Sequence, residues 1–185
     1  MKKNTLKRQV AESIREIVFG LEDSLVSTLG AITGIAVGTQ STYIVILSGL
    51  VLIAAEGMSM AAGSYLSSKS SYDADKQLHK EDGKSYDDHF VYPIRSAFVM
   101  GIFYFIGGFV PLMPYFFTTV KNAMIPSIVI TAITLFMVGV WASGFTKRSP
   151  VKSGAEMAGI SLAAAFVGYI IGMAVSSYFG VTVTI

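Results

Sequence analysis

Apolar residues run along this chain in five blocks, near 17–38, 43–66, 97–117, 126–145 and 155–179, and the charges gather in the stretches between them. About 20 mostly apolar residues are enough for a helix to cross a hydrocarbon core of ~30 Å, and each block reaches that length. The pattern predicts an all-α integral membrane protein with five transmembrane helices per protomer. Ahead of the first block, Leu6, Val10, Ile14 and Ile17 recur at helical spacing among Lys7, Arg8, Glu12, Arg15 and Glu16. That spacing suits a short helix over residues 1–16 lying in the cytoplasmic interface, and fits a solvated lead-in equally well. The chain then divides into a first pair of spans (17–66), a polar connection (67–96), three further spans (97–179) and a short tail (180–185).

Composition agrees: 52% of the 185 residues are hydrophobic and 14% charged, with a mean hydropathy of +0.60. Charge adds orientation. Of the 14 Lys and Arg residues, 13 fall before span one, between spans two and three, or between spans four and five, and Lys121 alone falls on the other side. Short cytoplasmic loops carry the positive excess, so the N-terminus is expected in the cytoplasm and the tail outside. The net charge of +2 then reflects topology and gives no reason to expect a nucleic-acid partner. No convincing small-residue cleavage site follows the basic leader, so span one is expected to be retained. With no Cys, disulfides and thiolate metal sites are excluded together.

Candidate chemistry lies where ionisable groups enter the apolar blocks. In the second, IAAEGMSMAAGSYLSSKS, Glu56 is followed by Met60 one turn on and Gly63 at i+7, so acid, thioether and a bare backbone patch share one face, with Met58 a possible helper. An ionisable side chain at bilayer depth is costly and marks a functional position. In the first, Asp23 lies on a face with Ser27, Gly30 and Gly34, and Gly30, Gly34 and Gly38 form a doubled G-x-x-x-G ridge. Glu22, about 100° round, is as well explained by headgroups or Arg15. Five helices are few for enclosing a pore, so the ridge is expected to bring two copies together as a homodimer with Asp23 lining the shared path. Carboxylates supply charge to a divalent cation, and a thioether favours borderline ions such as Fe²⁺ over Ca²⁺ or Mg²⁺. Asp23, Glu56 and Met60 therefore read as a relay for Fe²⁺ or Mn²⁺.

Three ordered stretches, REIVFGLEDSLVSTLGAITGIAVG, the Glu56 segment and GIFYFIGGFVPLMPYFF, with LAAAFVGYIIGM in span five, resemble the vacuolar iron transporter family. Its members carry R-[DE]-I-[IV]-x-G-x-x-D-G-L, S-M-x-x-G-x-Y-L-[SA] and G-x-x-x-P-L-x-P-Y in these spans. The resemblance implies a dimer of five-helix protomers that moves Fe²⁺, and often Mn²⁺, out of the cytoplasm in exchange for protons. It also implies that Asp23 and Met60 are site residues. Two departures stand out: Leu52 occupies the position of the family's usual second-span Glu, with Glu56 one turn on, and the long carboxylate-rich cytoplasmic domain of well-known members is replaced by a short connection. Small size and that short connection point to a prokaryotic plasma membrane, or to the vacuolar membrane for a eukaryotic source.

The connection holds several Asp and Glu and both His residues. Asp75 and His79, at i and i+4, could share a metal, though interleaved lysines make a solvated loop the better expectation. Pro111 and Pro114 are expected to break span three, and its aromatics, Tyr104 and Tyr115 among them, read as lipid and interface anchors. No H-E-x-x-H, intramembrane His or Ser/Lys dyad is present, so an enzyme is not expected, nor a resident cofactor; metal ions and protons are cargo. The competing readings are a channel-like conductor of divalent cations and a structural membrane protein.

Overall fold

The computed structural model describes residues 2–81 and 93–179, with side chains from Ser13 onward apart from those of Asp75 and residues 79–81. It is all-helical. Helix α1 spans Lys2–Thr39, α2 Thr42–Glu81, α3 Pro93–Leu112, α4 Val120–Thr146 and α5 Pro150–Tyr178, with a 3₁₀ turn at Met113–Phe116 after α3. Among the described residues five segments are long and apolar enough to cross a membrane: Ser13–Thr39, Thr42–Leu78, Pro93–Phe116, Val120–Thr146 and Pro150–Tyr178. Three of the expected blocks lie within these and the third and fifth overrun them by one residue at the C-terminal end, and the protein is a membrane protein.

The ends of the helices differ from the expectation in instructive ways. No break separates residues 1–16 from the first span, because α1 runs straight through Arg15 and Glu16. The polar connection begins as helix, with α2 continuing to Glu81, and residues 82–92 and the tail 180–185 lie outside the described residues. The N-terminal extension is rich in good helix formers, and that of α2 becomes so from Ala74 onward with Lys76, Gln77 and Leu78, which helps a span continue past the apolar block that nucleates it. Span three does stop at its prolines: α3 ends at Leu112 and tightens into the 3₁₀ turn, since Pro114 has no N–H to continue the ladder. The carbonyl of Pro111 at that end accepts from Ser127 Oγ at 2.6 Å, which ties α4 to the break.

Helix α1 is central and touches all four other helices. Its glycine ridge lies against α5: a Cβ built on Gly34 would come 2.8 Å from the Gly168 carbonyl oxygen, and one on Gly30 3.2 Å from that of Ala164. The two backbones are therefore in contact, the geometry that small-x-x-x-small ridges permit. This packing is within one chain. Toward the Gln40–Ser41 turn, α1 and α2 close over an apolar cluster of Ile32, Ala36, Val45, Ile53, Leu112, Tyr115, Val120 and Ala123. Tyr104 and Tyr115 are 0% and 1% exposed, so neither is a lipid anchor as the sequence suggested; Phe116 and Phe117 in the same stretch are exposed.

Candidate metal path

Helices α1 and α2 run antiparallel, and two polar contacts fasten them. Near the N-terminal end of the first span, Ser64 Oγ donates to Glu16 Oε2 at 3.1 Å. Deeper, Ser27 Oγ donates to Glu56 Oε2 at 3.0 Å. In sequence these contacts bracket Asp23 on α1 and Met60 on α2, so acids and sulfur are distributed along one inter-helix seam. A rise of 1.5 Å per residue sets Asp23 about 15 Å along the helix from Ser13, where the membrane-spanning segment begins.

The lower seam opens into a cavity of ≈ 390 Å³ whose lining includes Glu16, Met60, Ser64 and Met100. Glu16 is 3% exposed and also pairs with the largely exposed Arg15 guanidinium at 3.1 Å, so its charge is compensated although its side chain is buried. Above the cavity, Glu56 meets Tyr104 of α3, whose hydroxyl donates to the same Oε2 and lies 2.8 Å from Ser27 Oγ. Glycines let α3 come this close: a Cβ on Gly57 would meet the Phe105 ring at 2.9 Å and that of Tyr104 at 3.4 Å. Asp23 is half-buried and stands one turn before Ser27 on the same face of α1. Beyond this level the apolar cluster seals the seam.

Of the residues singled out in the sequence, Met60 lines the cavity and Glu56 takes part in the deeper contact, while Asp23 stands one turn from Ser27 on α1. Met58 does not join them: it is 71% exposed, as a side chain two positions from Glu56 must be when successive helical residues are 100° apart. Glu22 lines a separate crevice of ≈ 620 Å³ with Arg15, Arg148 and Met157 between α1, α4 and α5. Asp75 and His79 lie on the C-terminal extension of α2, with side chains outside the described ones. Gly30, Gly34 and Gly38 face α5. Sequence reasoning missed Glu16, Tyr104 and Met100. The signal for Glu16 was available, since it stands in the Arg15-Glu16-Ile17 opening of the first-span motif; Tyr104 was hidden in a run of aromatics. Among the described residues no three Asp, Glu or His side chains are grouped closely enough to hold a metal. The described part of the seam carries its carboxylates and thioethers spread along the helices rather than clustered.

The model of the VIT family matches residues 14–90 and 74–173. Vacuolar iron transporter 1 of Arabidopsis thaliana is 26% identical, with 84% of each chain covered. Vacuolar iron transporter homolog 1 of the same plant is 32% identical over 80% of this chain and 75% of its own. An uncharacterized protein of Methanocaldococcus jannaschii is 31% identical over 85% of this chain and 87% of its own.

Proposed function

The chain belongs to the VIT family, and on that premise we propose that it is a membrane transporter that carries Fe²⁺, and Mn²⁺ with it, out of the cytoplasm in exchange for protons. The observation that carries this reading is the α1–α2 seam, where Glu16 and Met60 line an open cavity, Glu56 lies deeper between that cavity and an apolar closure, and Asp23 stands on α1 between the two polar contacts that fasten the seam. An ion crossing a membrane needs ligands good enough to replace its water and weak enough to let go, and sparse single ligands meet both demands. A site that binds either a divalent cation or protons links their opposed fluxes, because the ion displaces the protons it finds there.

A second copy of the chain completes the path. An apolar groove of ≈ 800 Å³ runs along α1 and α5, lined by Val26, Ala31, Ile35, Ile160, Val167 and Ile171 among others, and Ser27 also reaches it. A homodimer joined across this groove brings two seams together and doubles ligands that are too few in one protomer. Gly30, Gly34 and Gly38 line the same groove, so they serve the dimer as its floor while their close backbone contact is with α5.

The test is metal uptake into proteoliposomes, with competing divalent ions and an imposed pH gradient. Uptake of Fe²⁺ that is accelerated by an acidic lumen is the expected result; uptake indifferent to the gradient would indicate a channel, and no uptake a structural protein. In the same assay Met60→Leu, which nearly conserves volume, is expected to reduce the preference for Fe²⁺ over Mn²⁺ several-fold while leaving insertion intact. Unchanged discrimination would make Met60 a packing residue. Orientation has its own measurement: five crossings put the two ends on opposite faces, and the 13 basic residues on one side set the N-terminus in the cytoplasm. Reporters fused to each end should give one cytoplasmic and one external signal.

A further inference from the structure

Glu56 is held asymmetrically. Both hydroxyls that reach it, Ser27 Oγ at 3.0 Å and Tyr104 OH, meet the same oxygen, Oε2, and the two hydroxyls stand 2.8 Å from each other. Two hydroxyl protons serve three oxygen–oxygen contacts, so at least one proton points at Oε2 in every arrangement of the triangle, and two do when neither hydroxyl donates to the other. The triangle draws on three helices, α1, α2 and α3, and Tyr104 is 0% exposed. A phenol buried at this depth needs a partner, and this one has both a carboxylate and a serine. No described hydrogen bond engages Oε1.

We propose that Tyr104 and Ser27 are positioning residues that set the ion selectivity of the path, by holding Oε2 of Glu56 so that the carboxylate meets a passing cation through Oε1 alone. This rests on the reading of Glu56 as part of the ion path. Ca²⁺ gathers about six to eight oxygens and commonly takes a carboxylate through both of them. Fe²⁺ manages with fewer ligands and accepts sulfur or nitrogen among them, and Mn²⁺, though it prefers oxygen, is satisfied by an octahedral set of about six. Oε2, committed to hydroxyl donors, is lost to a Ca²⁺ ion that needs it and is no loss to an ion satisfied with Oε1 and the Met60 thioether. The tethered carboxylate thereby rejects Ca²⁺ by withholding a ligand, while the soft sulfur favours the transition metal.

The experiment compares Mn²⁺ and Ca²⁺ uptake into the same proteoliposomes for the parent protein, Tyr104→Phe, Ser27→Ala and the double variant. Tyr104→Phe keeps the ring and its packing and removes one donor. The Ca²⁺ to Mn²⁺ uptake ratio should rise by about tenfold, the scale of one hydrogen bond to a charged group. The double variant, with Oε2 released altogether, should raise it further, and Ser27→Ala alone should raise it less. A purely structural role for the two hydroxyls would depress both fluxes in proportion and leave the ratio unchanged, and that outcome overturns the proposal. A parent protein that takes up neither ion would overturn the transport reading itself, a result distinct from a parent that transports Mn²⁺ and variants that keep its selectivity.

Discussion

Gly168→Ala is expected to leave little correctly folded protein, although it adds a single methyl group. A Cβ at that position would fall on the carbonyl oxygen of Gly30, and the next contacts are backbone as well, Gly30 C at 2.9 Å and Gly34 N at 3.3 Å. Backbone cannot rotate out of the way as the tip of a side chain can, so α1 and α5 would have to separate along their most extensive shared face. Overpacking of this kind costs about 1–3 kcal/mol in well-packed cores, and more where main chain must move. Two controls fix the interpretation. Gly38→Ala, on the same ridge, would come 3.6 Å from the Gly172 carbonyl, an ordinary contact, and Gly63→Ala would meet nothing within 4 Å; both should behave as the parent. The measurement is the monodisperse fraction in mild detergent together with the thermal midpoint followed by Trp141 fluorescence. A Gly168→Ala protein that folds well but elutes as a monomer would move the ridge from the protomer's interior to the subunit contact.

That ridge shows how far a sequence carries and where it stops. Repetition of Gly30, Gly34 and Gly38 announces a helix–helix contact plainly, because few other patterns let two backbones touch. It does not announce the partner. The complementary glycines, Gly168 and Gly172, sit some 130 residues later in a segment of matching small-residue spacing, and a match within the chain is as good physically as a match between chains. The five spans were legible because hydrocarbon thickness fixes their length. Their polar extensions were not, since a helix propagating beyond the membrane is governed by propensity and leaves no sharp hydropathy mark.

The site was legible where its residues are costly. Asp23 and Glu56 stood out because a carboxylate in a span demands a reason, and Met60 followed from Glu56 by helical spacing. Tyr104 carries no such cost on its face: in Phe103-Tyr104-Phe105 nothing distinguishes the ring that turns inward from the two beside it. Only the packing of α3, admitted by Gly57 and Gly101, shows that Tyr104 faces Glu56. Glu16 was read as interfacial because it lies among charges, yet Ser64 and Arg15 enclose it. A charge cluster conceals a buried member as easily as an aromatic run does.

Removing the charge of Asp23 should abolish transport, whereas removing that of Glu56 should uncouple it. Asp23 lies on α1 between the Glu16–Ser64 and Ser27–Glu56 contacts, about level with Met60 on α2, and it is the acid of the seam that no described hydrogen bond ties down, so on the proposed path acid and thioether meet the ion together. Asp23→Asn keeps the shape and removes a full ligand charge at bilayer depth, where a divalent cation without a counter-charge is prohibitively costly. Uptake should fall to the level of protein-free vesicles. Glu56→Gln is a different change, because the amide oxygen can still accept from Ser27 and Tyr104 and the three-helix junction survives. What is lost is a group that can exchange a proton for a metal ion. With Asp23 still present, metal should cross slowly and at the same rate whether the lumen is acidic, neutral or alkaline. The measurement is initial Fe²⁺ or Mn²⁺ uptake at the three lumen pH values for the parent and both variants. Full gradient dependence in Glu56→Gln would assign the exchanged proton to the remaining carboxylates of the seam, Asp23 and Glu16. Glu56 would then be a structural acceptor for Tyr104, and the Leu52 position one turn away would mark a carboxylate that this chain has given up.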